Sequence, residues 1–166
     1  MSSKLSVLPT IRAHYDTFRD NTSGSPHVWD YIIFVGLPVA AGIACAWRGV
    51  RLSDVSGFLA GLAVFAALLF GLVVFVFQLR LQLRTSGTPS TSTLARFVDQ
   101  LFYNVNYAVV VGIGTTGVAT IAVHLANKNS APVWISAMMT ALALHLAFTI
   151  LMCVKRVHAA YRMLTT

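Results

Sequence analysis

The chain has 166 residues, of which 57% are apolar and 10% charged, with 12 Lys and Arg against 5 acidic residues and a formal net charge of +7. Such a composition leaves room for one membrane bundle and excludes a separate soluble domain. No Glu occurs and every acid is an Asp, so the paired acids and bases of most enzymes are missing; no catalytic residue, metal or cofactor is expected.

Residues 9–20 open with Pro9 and repeat Leu8, Ile11, Tyr15 and Phe18 at spacings of three and four, with Arg12, His14, Asp16 and Arg19 on the other face. The pattern predicts an amphipathic helix lying along the cytoplasmic membrane surface. The polar run 21–26 then breaks the helix, and Trp29 with Tyr31 anchors the next segment at the interface. About 30 residues precede the first apolar stretch, too many for the short polar region of a cleaved leader, so that stretch is expected to remain in the protein.

Four apolar stretches follow, at 31–47, 58–78, 102–126 and 133–154. Each is close to the ~20 residues that cross a ~30 Å hydrocarbon layer at ~1.5 Å per residue. The expected fold is therefore all-α, a polytopic bundle of four transmembrane helices preceded by an interfacial helix. Its parts are a cytoplasmic segment 1–28, a bundle 29–158 with a cytoplasmic loop 79–101, and a tail 159–166. If the spans alternate, Lys4, Arg12, Arg19, Arg80, Arg84, Arg96, Lys155, Arg156 and Arg162 share one side, against Arg48, Arg51 and Lys128 on the other. Positive charge favours the cytoplasm, which places both termini there. The second span is expected to project inward past Arg84 into a hydroxyl-rich flexible loop, 85–93.

Polar residues inside the spans are the candidates for a pore or gate. In the third span Asn104, Ala108, Gly112, Thr116, Thr120 and His124 recur every fourth residue, a stripe that winds slowly round a helix with ~3.6 residues per turn. It serves either close helix packing and interhelical hydrogen bonds or a hydrated lining. His145 lies near the middle of the fourth span, with Thr149 one turn on. A residue of that kind at that depth faces protein or water, as a gate, a proton sensor or a polar pore residue, or else bonds a hydroxyl or carbonyl of a neighbouring span. The pore or gate set is Asn104, Gly112, Thr116, Thr120, His145 and Thr149.

Several familiar chemistries are excluded by depth and context. The run Gly112-Ile113-Gly114-Thr115-Thr116-Gly117 spells a dinucleotide-binding fingerprint, but it lies within a span with no strand before it. His124 and His145 differ in depth by roughly 15 Å at ~1.5 Å per residue, so they do not ligate one haem. Cys45 and Cys153 lie near opposite membrane faces, beyond the ~7 Å Cα separation a disulfide tolerates.

The remaining feature is a cytoplasmic basic cluster, Arg80, Arg84, Arg96, Lys155, Arg156 and Arg162, joined by Arg12 and Arg19. It fits a polyanionic regulator acting on a homo-oligomer whose copies enclose a pore. Membrane lipid is the other anionic partner available to it. Two other readings are a membrane anchor or transporter component that recruits a soluble partner, and a holin-like lesion former that needs no ligand. Small four-span multidrug transporters share the span number but depend on a buried Glu that is missing here.

With its four spans, amphipathic N-terminal helix, basic inner face and little mass outside, the chain resembles the small membrane effectors of bacterial anti-phage defence, most closely the Hailong type. The resemblance covers the full length. It implies a homotetrameric ion channel in the bacterial inner membrane, held closed by short single-stranded DNA oligomers that a partner nucleotidyltransferase makes, and opened on infection.

Overall fold

A computed structural model describes residues 7–16, 31–126 and 130–165. Its elements are helix α1, Leu8–Asp16; a π-helical turn, Ile32–Gly36, that runs into α2, Leu37–Trp47; and three long helices, α3, Val55–Thr85, α4, Thr93–Leu125, and α5, Val133–Thr165. Among the described residues there is no strand, only one isolated bridge between Ser53 and Ser130. The chain divides into two compact units: residues 1–27, 69–110 and 149–166 form the first, and 28–68 with 111–148 the second. Helices α3, α4 and α5 each contribute residues to both.

Helices α3, α4 and α5 are long and apolar enough to cross a membrane. Their surfaces are as apolar as their sequences: on α3, Val64, Leu68, Phe70 and Phe75 are each at least 60% exposed. Soluble monomers rarely show contiguous apolar patches beyond a few hundred Å², so this exposure indicates a membrane protein. The segment expected to be the first span is shorter. Five π-helical residues and eleven α-helical ones rise roughly 24 Å at ~1.5 Å each, less than the ~30 Å of hydrocarbon. Three helices long enough to span, rather than four, are therefore present among the described residues.

In the first unit the core is Val76, Val98, Leu101, Val105 and Cys153, packed with Leu72, Val73, Leu79, Leu83 and Phe102. Most of the segment expected as a cytoplasmic loop, 79–101, is helical, because α3 runs to Thr85 and α4 begins at Thr93. Local chemistry sets both ends. Gly87, at φ 75°, closes α3 with its N–H on Arg84 O and that of Thr88 on Leu83 O, the paired bonds of a left-handed C-terminal cap. Ser92 then caps α4, its Oγ accepting the Ala95 N–H at 3.2 Å. Leu79, Leu83, Ala95, Val98 and Leu101 extend the apolar face through these ends, so the hydrophobic pattern outlasts the membrane-length stretches on which the loop was drawn.

In the second unit Pro38 sits in the first turn of α2. A proline supplies no N–H to the carbonyl four residues back, here that of Phe34, and the preceding turn widens to π geometry, with Leu37 N–H bonded to Ile32 O. Helix α2 is closed by Gly49, φ 64°, with Gly49 N–H on Ala46 O and Val50 N–H on Cys45 O. The next connection is fixed to the start of α5: Leu52 N–H donates to Ser136 Oγ at 3.0 Å and Ala131 N–H to Leu52 O at 3.0 Å. Helix α2 also approaches α5 closely at Gly42, where a Cβ would lie 2.9 Å from the Ala137 carbonyl oxygen and 3.0 Å from the Ala141 methyl.

Candidate functional site: a basic surface and a buried polar set

The basic residues expected to meet an anionic ligand, where described, all fall in the first unit: Arg12 on α1, Arg80 and Arg84 on α3, Arg96 on α4, and Lys155, Arg156 and Arg162 on α5. Arg19 lies outside the described residues. Two of the seven are held by α4. Arg80 grips Asp99 with Nε to Oδ1 at 2.6 Å and Nη2 to Oδ2 at 3.2 Å, and Arg156 Nη1 donates to Gln100 Oε1 at 2.8 Å. The adjacent residues Asp99 and Gln100 thus receive one guanidinium from α3 and one from α5. Arg12, Arg84, Arg96, Lys155 and Arg162 are exposed.

Arg80 and Arg84 also line an open groove of about 570 Å³ with Phe77, Leu81, Thr88 and Ser90. Spacings of three, four and seven place Phe77, Arg80, Leu81 and Arg84 along one side of α3. The loop beyond the glycine cap supplies the two hydroxyl residues.

His14 does not lie on a solvated polar face of the N-terminal helix as expected. It is 1% exposed, hydrogen-bonded through Nδ1 to Asn104 Oδ1 at 2.8 Å and stacked on Tyr107, with ring centroids 3.8 Å apart and planes 6° apart. Helix α1 is therefore docked on α4 by a polar and aromatic contact. Asn104, expected to line a pore, is fully buried in this contact within the protomer. Spacing from Arg12 and Asp16 put His14 among polar residues, and nothing local in the sequence pairs it with a residue 90 positions away.

Of the other pore or gate residues, Thr149 is buried in the first unit, while Gly112, Thr116, Thr120 and His145 belong to the second. The threonines of α4 turn back on their own helix. Thr115 Oγ1 donates to Val111 O at 2.7 Å, Thr116 to Gly112 O at 2.9 Å and Thr120 to Thr116 O at 2.9 Å. Each donor is satisfied, each oxygen keeps acceptor capacity, and Thr120 is exposed. Gly114 and Gly117 are exposed and do not serve close packing within the protomer, since a Cβ on either would meet nothing within 4 Å, whereas Gly112 is buried. His145 Nδ1–H donates at 2.6 Å to the carbonyl of Phe34, the group that Pro38 leaves without its ordinary helical donor.

Among the described residues no group of three or more His, Cys, Asp or Glu is placed to hold a metal ion. Comparison of the chain with protein-family models, curated proteins and solved structures finds no match.

Proposed function

We propose that the chain is the subunit of a homo-oligomeric channel of the bacterial inner membrane, most simply a tetramer, acting in anti-phage defence and gated from the cytoplasm. The regulator is an anionic nucleotide or a short single-stranded DNA oligomer supplied by a soluble nucleotidyltransferase partner. In this reading the π-turn and α2 form a fourth, short span, accommodated by local thinning of the bilayer. Both termini face the cytoplasm, with α1 docked at the inner interface.

The observation that carries the reading is the sorting of charge. The first unit collects Arg12, Arg80, Arg84, Arg96, Lys155, Arg156 and Arg162, whereas Arg48 and Arg51 are the basic residues described in the second. A concentrated basic surface at the cytoplasmic ends of membrane helices raises the local concentration of polyanions. A further support is that Gly114, Gly117 and Thr120 on the outer half of α4 are exposed, small and polar residues that a neighbouring copy could meet.

The test is a planar-bilayer recording of the purified protein with and without short DNA oligomers. A defined conductance that oligomers change, and that Arg96→Glu with Lys155→Glu makes insensitive to them, is the expected result. No conductance under any condition, together with a stoichiometric soluble partner, would favour an anchor instead. Large ligand-independent lesions would favour a holin-like protein.

A further inference from the structure

The geometry points to a distinct site for an anionic phospholipid in the groove between α3 and the loop after it. The groove is lined by two kinds of side chain. Phe77 and Leu81, 58% and 52% exposed, offer an apolar wall that a free phosphate would leave unused. Arg80 and Arg84 face the same groove, and Thr88 and Ser90 line it as well. An occupant that uses both kinds carries a phosphate and a hydrocarbon chain, as a phospholipid does.

Charge decides which phospholipid. Asp99 takes the Nε and Nη2 of Arg80, which fixes the guanidinium plane and leaves Nη1 for another acceptor. It also cancels one of the two positive charges, so the groove holds a single surplus charge, that of Arg84. One surplus charge matches a phosphodiester monoanion better than a phosphomonoester dianion, and the two hydroxyl residues suit a headgroup with hydroxyls of its own. Phosphatidylglycerol has that chemistry. The occupant is then a resident lipid of the inner leaflet, and the soluble regulator is left the exposed residues Arg12, Arg96, Lys155 and Arg162.

The assignment rests on the bilayer placement proposed above but not on conduction, so its test reads lipid alone. The full-length protein is reconstituted in nanodiscs that contain phosphatidylglycerol and phosphatidylcholine with identical chains, and the lipid retained on mild release is counted by native mass spectrometry. Phosphatidylglycerol is expected to be retained preferentially, and Arg84→Gln to lower that preference about fivefold, the effect of one basic residue near an anionic surface. In nanodiscs that also contain phosphatidic acid, Asp99→Asn, which removes the neutralising acid, is expected to shift the preference toward that dianionic lipid; a thermal melt of each variant checks its fold. Equal retention of the two lipids by a folded, inserted protein overturns the assignment, as does an unchanged preference in Arg84→Gln. Displacement of the lipid by millimolar inorganic phosphate or by a DNA oligomer overturns it too, and gives the groove to a soluble anion. A protein that fails to insert would instead sink the membrane reading itself.

Discussion

His145 and Pro38 explain one another at the level of single residues. The proline removes the N–H that would serve the Phe34 carbonyl, and a histidine from another helix donates to that carbonyl at 2.6 Å. In a low-dielectric setting a carbonyl that loses a donor is costly. His145→Ala is therefore expected to lower stability by about 1 kcal/mol or more, and His145→Asn, which can place an N–H near the same point, to recover most of it. Thermal unfolding in detergent measures both; equal losses would mean that the ring acts by packing and not by donation. Gly42 makes a second residue-scale prediction. A Cβ there would be crowded by the Ala137 carbonyl oxygen at 2.9 Å and the Ala141 methyl at 3.0 Å, so Gly42→Val is expected to cost about 1–3 kcal/mol by overpacking. Gly114→Ala, where a Cβ meets open space inside α4, should not lower the melting temperature of the isolated protomer and, by easing the helix-propensity cost of glycine, is expected to raise it slightly.

The long helices were legible in the sequence as elements because uninterrupted apolar runs carry their own length. The inner end of α3 was legible too, because its apolar pattern continues through Leu79 and Leu83 and the helix runs to Thr85. The start of α4 was less legible: Ala95 and Val98 lie ahead of the membrane-length stretch, and their burial depends on helices meeting one another, which periodicity within one helix does not encode. The left-handed cap at Gly87 and the Ser92 cap are local signals, present in the hydroxyl-rich tract but masked there by its composition. Gly87→Ala, forced into φ 75°, and Ser92→Ala, stripped of its cap, are each expected to cost about 1 kcal/mol. If hydrogen exchange at 86–92 is unchanged in both, the tract is held by something other than its caps. The candidate site divides in the same way. Its basic residues could be named from charge alone, whereas the docking of His14 on Asn104 and Tyr107 joins residues 90 positions apart and needed the fold.

For the whole molecule, charge sorting has a consequence that can be measured in solution. If an oligonucleotide is bound by the exposed basic residues of the first unit, affinity falls log-linearly with salt, at about 0.7 per phosphate neutralised. Removing Arg96 should then lower affinity at moderate ionic strength and flatten the slope by about that amount. Removing Arg48 in the second unit should do neither. A slope that ignores both substitutions would separate nucleic-acid binding from this surface.

The two thiols differ in a way that turns the native protein into its own topology reporter. Cys153 is 2% exposed within the core of the first unit, while Cys45 is half-buried two residues before the end of α2, its sulfur near Thr140 Oγ1 and the Val50 carbonyl. Maleimide labelling of the folded wild-type chain should therefore be mono-specific. A membrane-impermeant dye applied to intact spheroplasts should mark Cys45 from the periplasmic side and be lost in Cys45→Ser. Labelling only after lysis would invert the proposed orientation without any engineered cysteine.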